Sequence, residues 1–375
     1  MNITFLFTYG YSLETWQKSG TIEKELKILN YLSNKFNLNY TLVTFGNHKD
    51  IDIAKKYCNF DVIPIYSFMS QSKYKTVNYL KSFYIPFKIS KKLKNQDIIH
   101  QHQLLGSWIA ILLKIILKKP LLVRTGYDMY LFSIYEKKVF YIRYLYKLLT
   151  RLSFIMSSIY TVTSHSDAIF LKEKLNTDSN KLKIRPNFIE IKLFKKFNER
   201  ETNKILTVGR LEEQKNYVFL IKSLRNLKNW QIDIVGSGSQ KKELEKIANE
   251  VDLKINFLGN LEYRELEKLY QNYKFYISTS KYEGNPKTVL EAMSFGCIPL
   301  VSNILNHTEF IKHNFNGFVF DFSDLSIIKI IEKDIVDSKN LGVVSQNASK
   351  SLIETNSIEA IANLIHQDYL DILNT

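Results

Sequence analysis

Cysteine is nearly absent: Cys58 and Cys297 are the only two in 375 residues, and neither stands in a Cys-x-x-Cys pair or a Cys/His cluster. That usage argues against a disulfide framework and a thiolate metal centre, and it fits a reduced, cytoplasmic compartment. Long apolar runs are missing too. The most apolar segment, LLGSWIAILLKIIL, spans 14 residues and carries Lys114, whereas a bilayer span needs ~20 apolar residues. The opening MNITFLFTYG has no basic leader, and its apolar run is of strand length, so no export signal is read there. No stretch has the compositional bias of disorder, and no repeat of solenoid period is present.

Acidic residues are scarce in one half only. Residues 1–190 hold 28 Lys and Arg against 13 Asp and Glu, whereas residues 191–375 hold 24 against 24, so the whole net charge of +15 lies in the first half. Such a field suits nucleic acid, anionic lipid headgroups or an acidic soluble substrate, and charge alone does not choose among them.

What is present is a βα rhythm. Short apolar runs at 3–7, 40–45, 97–100, 121–124 and 159–163 alternate with segments of helical period, and KILTVGR, WQIDIVG, KINFLG, FYISTS and CIPLVS repeat the pattern in the second half. The expectation is α/β, with two doubly wound Rossmann-like domains facing an inter-domain cleft. The first covers 1–190 and the second 203–356, with the polar, Pro186-bearing stretch RPNFIEIKLFKKFNERET between them. A terminal helix, within 357–375, has one apolar face suited to packing back toward the first domain.

Ligands of open α/β sheets lie beyond the carboxyl ends of strands. In KYEGNPKTVLEAMSFGCIPLVS, Asn285 reads as an N-cap, Pro286 as the first helical residue and Gly296 as the residue past the helix end. Glu283 stands at the helix mouth and Glu291 about two turns along it. The amides from Gly284 to Thr288, at the positive end of the helix dipole, suit a phosphate. A carboxylate at Glu291 suits a ribose diol, and one at Glu283 a hydroxylated group beyond the phosphates. Taken alone, a helix with two solvated glutamates is the commoner case.

In ILTVGRLEEQKN, Gly209 permits a tight turn after the strand, and Arg210 and Lys215 are placed to neutralise a departing diphosphate, or are surface cations in a polar loop. IVGSGSQKKELEK lacks the third glycine of a dinucleotide fingerprint, with Lys242 in its place, and reads as a tight βα turn. The one Asp-x-Asp, Asp50 and Asp52, sits on no clear strand-end loop, so no metal is expected.

VGRLEEQKN, NFLGNLEYRELEKLY, YEGNPKTVLEAMSFGCIPLVS and NGFVFDF occur in the order and spacing of the donor domain of retaining glycosyltransferases of family 4, which have the GT-B fold. The resemblance is strong over 205–325. It is weaker in the first half, where TYGYSLETWQKSGTIEKE, DIIHQHQLLGSW and VTSHSDAIFLKEKL resemble the acceptor domain. It implies Glu283 beside the donor sugar hydroxyls, Glu291 on the ribose, Arg210 and Lys215 on the diphosphate, and Gly20 as the acceptor-side glycine near the donor phosphates. It also implies metal independence and no bound cofactor, the nucleotide sugar being a substrate. Where many members carry a histidine, PLLVRTGYDMY offers Arg124, Gly126 and Asp128, leaving His102, Arg124 and Asp128 as acceptor-side candidates.

The expected activity is transfer of a hexosyl group, with retention by front-face substitution, from a UDP- or GDP-sugar to a saccharide or lipid-linked saccharide in surface polysaccharide synthesis (lipopolysaccharide, capsule or exopolysaccharide). Arg143, Lys147 and Arg151, four residues apart on an aromatic and aliphatic segment, form a basic stripe that suits either a helix on anionic lipid or an ordinary helix with its cations in water. With the charge asymmetry, it favours a peripheral enzyme on the cytoplasmic face of the inner membrane. A GT-B sugar-nucleotide epimerase is the rival reading within the fold, and the Glu-x7-Glu register argues against it. A basic nucleic-acid-binding protein is the rival outside it, and no RNA- or DNA-binding signature accompanies the charge.

Overall fold

The computed structural model describes residues 1–126, 128–176, 180–191, 194–335 and 340–374. The chain divides into two compact units, Met1–Pro186 with Ile361–Thr375, and Asn187–Ala360. Of the polar stretch between the two sheets, 192–193 lie outside the described residues.

The first unit carries β1 (Asn2–Leu6), β2 (Asn39–Thr44), β3 (Asp61–Pro64), β4 (Ile98–Gln101), β5 (Leu121–Thr125), β6 (Ile159–Val162) and β7 (Leu182–Ile184). All pair in parallel, in the order β3-β2-β1-β4-β5-β6-β7. Helices α1 (Leu13–Lys18), α2 (Ile22–Phe36), α3 (Lys49–Tyr57), α4 (Lys75–Ser82), α5 (Ile85–Ile89), α6 (Ser107–Leu117), α7 (Met129–Tyr135), α8 (Phe140–Met156) and α9 (His165–Leu175) connect them. In α2, Ile22, Leu26, Leu29 and Leu32 recur at helical spacing and face the core.

The second unit pairs β8 (Glu201–Val208), β9 (Gln231–Val235), β10 (Lys254–Gly259), β11 (Tyr273–Ser278), β12 (Ile298–Ser302) and β13 (Phe318–Phe320) in the order β10-β9-β8-β11-β12-β13. These strands too are parallel. Every residue of β12, IPLVS, is buried, as befits a strand covered on both faces. Its helices include α10 (Tyr217–Ser223), α11 (Lys241–Ala248), α12 (Tyr263–Asn272) and α13 (Lys287–Ser294). Each sheet reverses direction once, between β1 and β4 and between β8 and β11. Those reversals are where open α/β sheets leave a crevice at their carboxyl edge.

A C-terminal helix, Ile358–Leu373, follows, and from Ile361 onward it belongs to the first unit. Arg185 grips Asp368 with two hydrogen bonds, Nε to Oδ2 at 2.7 Å and Nη2 to Oδ1 at 2.6 Å, and Lys183 Nζ lies 2.6 Å from Asp371. The buried Tyr369 hydroxyl lies 2.6 Å from His100 Nδ1. A bidentate guanidinium–carboxylate pair fixes orientation as well as position.

One local expectation is corrected. The helix after Glu283 begins at Lys287, with Pro286 rather than Asn285 in the N-cap position. The Pro286 carbonyl is already the first acceptor, taking the amides of Val289 (3.0 Å) and Leu290 (3.1 Å). The Asp-x-Asp lies on α3, where Asp50 is buried and accepts from the amides of Leu13 (3.2 Å) and Glu14 (3.0 Å) and from Thr44 Oγ1 (2.5 Å), closing the first turn of α1.

Candidate functional site

Loops after β8 and β11, the two strands flanking the switch point of the second sheet, bring Lys215 and Glu283 together. Lys215 Nζ lies 2.5 Å from Glu283 Oε1. The short turn Glu213–Lys215 that carries the lysine is tied down from the other loop. Thr279 Oγ1 donates to the Lys215 carbonyl at 2.8 Å, the Lys281 amide to the Gln214 carbonyl at 2.9 Å, and Gln214 Nε2 to the Tyr282 carbonyl at 2.9 Å. Gly209 makes room for this arrangement, since a β-carbon there would fall 3.1 Å from Lys215 Cε and 3.0 Å from the Tyr217 hydroxyl. Gly236 and Gly238 do the same for the backbone of Gly209 and Leu211, which the GSGS turn packs against.

Both glutamates of the Glu-x7-Glu pair are buried, Glu283 at 7 % and Glu291 at 6 % exposure, which rules out two solvated carboxylates on a surface helix. Burial alone raises the Glu283 pKa. Lys215 beside it, with hydrogen bonds from Lys215 and Ser280, outweighs that and holds the carboxyl below its ordinary value. Ser280 Oγ donates to Glu283 Oε1 at 2.6 Å. At neutral pH the group is a carboxylate, an acceptor of hydrogen bonds rather than a proton donor.

Behind it sits His307, fully buried and absent from the sequence expectations. Its Nδ1 lies 3.0 Å from the Ser302 carbonyl and its Nε2 3.4 Å from Ser278 Oγ. The carbonyl can only accept, so the proton sits on Nδ1. Burial lowers the pKa of His307 to about 4, against the pull of Glu283. The imidazole is therefore neutral at pH 7, and Lys215 carries the charge that keeps Glu283 ionised. The neighbouring Asn306 donates from Nδ2 to the Gly284 carbonyl at 2.7 Å. A lone histidine in NILNHTE has no local signature, and only folding reveals what it faces.

The remaining donor-side residues surround this pair to different degrees. Arg210 is exposed and reaches Gln214 Oε1 at 3.3 Å; Gln214, in turn 3.4 Å from Glu283 Oε2, stands between the arginine and the carboxylate. Thr288 Oγ1 lies 2.8 Å from the Tyr276 hydroxyl. Of the helix-start amides, Pro286 has none to offer, and that of Lys287 is bonded to the Asn285 carbonyl at 2.8 Å. The amides of Gly284 and Thr288 make no hydrogen bond within the described residues.

Gly20, in the first unit between α1 and α2, has φ +69° and open space where a β-carbon would be, so the left-handed backbone is what requires glycine. His102 Nε2 lies 3.6 Å from Glu25 Oε2, with its ring against Phe5 and Trp16. Burial lowers the Arg124 pKa, against the pull of Glu25. Asp128 caps α7, accepting from the Leu131 amide at 2.7 Å, and burial raises its pKa to about 6. Its Oδ2 is buried with no hydrogen-bond partner among the described residues.

Residues 189–351 match the family described as Glycosyl transferases group 1. This segment is a glycosyl transferases group 1 domain. The glycosyltransferase domain has relatives that extend the match into the first unit. The chain is 25% identical, over 74% of its length and 75% of the other's, to the Campylobacter jejuni GalNAc-alpha-(1->4)-GalNAc-alpha-(1->3)-diNAcBac-PP-undecaprenol alpha-1,4-N-acetyl-D-galactosaminyltransferase. It is 24% identical, over 78% of its length and 80% of the other's, to the Escherichia coli UDP-Gal:alpha-D-GlcNAc-diphosphoundecaprenol alpha-1,3-galactosyltransferase. Its fold matches HepE of Anabaena, solved in complex with UDP, with a TM-score of 0.74 at 15% identity, covering 99% of this chain and 100% of that one. The fold is GT-B, two Rossmann-like units in one chain. Lys215 and Glu283 both lie inside the glycosyltransferase domain.

The first unit adds a surface feature. On α8, Phe140, Tyr144 and Leu148 are 74 %, 56 % and 52 % exposed, and Tyr141, Leu145, Leu152 and Ile155 are exposed beside them. At 100° per residue these seven side chains share an arc of ~140°. Arg143, Lys147 and Arg151 line one edge of that arc. No helix among the described residues is long and apolar enough to cross a membrane.

Proposed function

We propose that this chain is a retaining, family 4 glycosyltransferase that moves a hexosyl group from a UDP- or GDP-sugar to a saccharide or lipid-linked saccharide acceptor in surface polysaccharide assembly. The observation that carries the proposal is the buried Lys215–Glu283 pair at the switch point of a glycosyl transferases group 1 domain. A carboxylate kept ionised by an adjacent ammonium accepts hydrogen bonds from sugar hydroxyls. The ammonium, with Arg210 and the amides of Gly284 and Thr288, offers positive charge to a leaving diphosphate. Glu291, buried farther along α13, is assigned to the ribose hydroxyls, and Gly20 to the acceptor-side approach to the phosphates.

Glu283 is assigned to the sugar hydroxyls rather than to attack on the anomeric carbon, so the proposed route is front-face substitution without a covalent enzyme intermediate and without a metal. UDP is favoured over GDP by the E. coli relative, whose donor is UDP-Gal, and by HepE, solved with UDP. A lipid-linked acceptor is favoured by the undecaprenol-linked substrates in the names of both relatives. The exposed apolar arc and basic edge of α8 support a peripheral position on an anionic membrane, and a cytoplasmic one follows if the donor is a nucleotide sugar.

The test is a thermal-shift panel of UDP, GDP, ADP and their sugars, because a ligand that binds only the folded state raises its stability. One nucleotide series should raise the melting temperature in wild type and much less in Glu291→Ala. Indifference to every nucleotide defeats the reading. Consumption of the donor sugar with isomerisation and no acceptor would convert it to an epimerase.

A further inference from the structure

The first sheet has its own switch point, between β1 and β4, and aromatic side chains gather there. Tyr9 follows β1, Phe45 follows β2, Tyr66 follows β3 and Trp108 opens α6 after β4, while Tyr79 comes from α4. The Tyr9 ring centroid lies 5.0 Å from Phe45, 5.2 Å from Trp108 and 6.2 Å from Tyr79, and Tyr79 lies 5.1 Å from Trp108. The platform is held from below. Trp108 is buried and its indole N–H donates to Ser82 Oγ at 2.9 Å, and the Tyr9 amide donates to the Leu105 carbonyl at 2.9 Å. Gly106, φ +104°, allows that approach, since a β-carbon there would stand 3.3 Å from the Tyr9 nitrogen.

Tyr79 is 45 % exposed, Tyr9 and Tyr66 are partly exposed, and none of the three hydroxyls has a hydrogen-bond partner among the described residues. Burial pushes the Tyr9 pKa up to about 12, with the phenols of Tyr66 and Tyr79 close enough to add to the rise.

We propose that Tyr9 and Tyr79, both in ring contact with Trp108, form with the neighbouring Tyr66 a subsite for a pyranose ring of the acceptor saccharide. The proposal rests on the glycosyltransferase reading and adds to it a place and a chemistry for the acceptor. A pyranose presents a face of C–H groups that packs against aromatic rings, and a rim of hydroxyls that exchange hydrogen bonds with phenols. Tyrosine does both with two side-chain torsions to order. An isoprenoid chain would use the ring faces but leave three hydroxyls without partners, which disfavours it as the occupant.

Saturation-transfer NMR on the full chain tests this, with methyl glycosides of galactose, N-acetylglucosamine and N-acetylgalactosamine and with geranyl diphosphate as the isoprenoid probe. Saturation should reach the ring C–H protons of at least one glycoside. Tyr79→Ala should abolish that transfer, and Tyr9→Phe, which keeps the ring, should reduce it several-fold. The melting-temperature rise with UDP, read on the same samples, should be equal in wild type and both variants. Retained UDP response with no transfer to any glycoside, with transfer only to the isoprenoid, or with transfer unchanged in Tyr79→Ala overturns the subsite while leaving the donor reading intact. A wild-type protein that responds to no nucleotide of the thermal-shift panel defeats the donor reading instead.

Discussion

Lys215 and Glu283, 68 positions apart, meet at 2.5 Å in a region where both side chains are mostly buried, 16% and 8% exposed. Breaking such a pair on one side leaves a charge without compensation, which costs roughly 3 kcal/mol or more. Lys215→Met should therefore lower stability by ~3 kcal/mol and turnover by at least ~100-fold, read by urea unfolding and by donor consumption. Glu283→Gln should abolish turnover while the UDP-induced thermal shift persists. Unchanged turnover in Glu283→Gln would remove this residue from the mechanism.

His307 makes the fold acid-sensitive. Its pKa is about 4 in the folded chain against 6.5 for the free group, so the unfolded chain binds the extra proton first as pH falls. Stability is lost between about pH 6.5 and 4, by ~3 kcal/mol for this group. The depressed Glu283 adds a second loss below its ordinary value of 4.5. His307→Asn should flatten the dependence of unfolding free energy on pH across the upper window. An unaltered slope would show that the imidazole charges freely in the folded chain.

Asp128 has the opposite sign. Its pKa is raised from 3.8 to about 6, so its contribution is fully present below pH 3.8 and is lost as pH rises through 6. Asparagine retains the cap on α7 and has no charge to desolvate, so Asp128→Asn should stabilise the protein at pH 8, by up to ~3 kcal/mol, and not at pH 4. If Asp128 also activates the acceptor, the same variant loses turnover. Stabilisation with full activity would assign it to structure alone.

Membrane binding is read on vesicles containing phosphatidylglycerol. Wild type should co-sediment in a salt-sensitive manner. Neutralising Arg143, Lys147 and Arg151 together should weaken binding by ~3 kcal/mol, at ~1 kcal/mol per basic residue, and Leu145→Asp with Leu148→Asp should abolish it. A wild-type protein indifferent to vesicles defeats the peripheral assignment.

Metal independence is read with a chelator. Turnover should be unchanged by EDTA, since Lys215, Arg210 and the helix-start amides are assigned the charge on the diphosphate. A loss restored by one divalent cation would reassign that role to the cation.

Much of the fold was legible because its signals are local. The buried runs of β1, β2, β4, β5 and β6 are apolar at strand length, and each strand of the second sheet from β8 to β12 is followed by a turn and a helical segment. β3 and β7, DVIP and LKI, were missed because four and three residues carry no usable period. The start of α13 was placed one residue early, because a proline fits both the N-cap and the first helical position.

Sequence by itself determined the two-sheet α/β organisation, the one-sided charge, and the glutamates, lysine and glycines of the donor segment, since all of these follow from composition, spacing and period. Only the tertiary structure decided what those residues face. Strand pairing across the β8–β11 reversal brings Lys215 onto Glu283. Packing removes His307 from water and so keeps it neutral, and it leaves the apolar arc of α8 outside while burying the opposite side. It also gathers Tyr9, Tyr66 and Tyr79 from three separate segments. Burial and the pairing of distant residues are properties of how the layers close, and no window of sequence contains them.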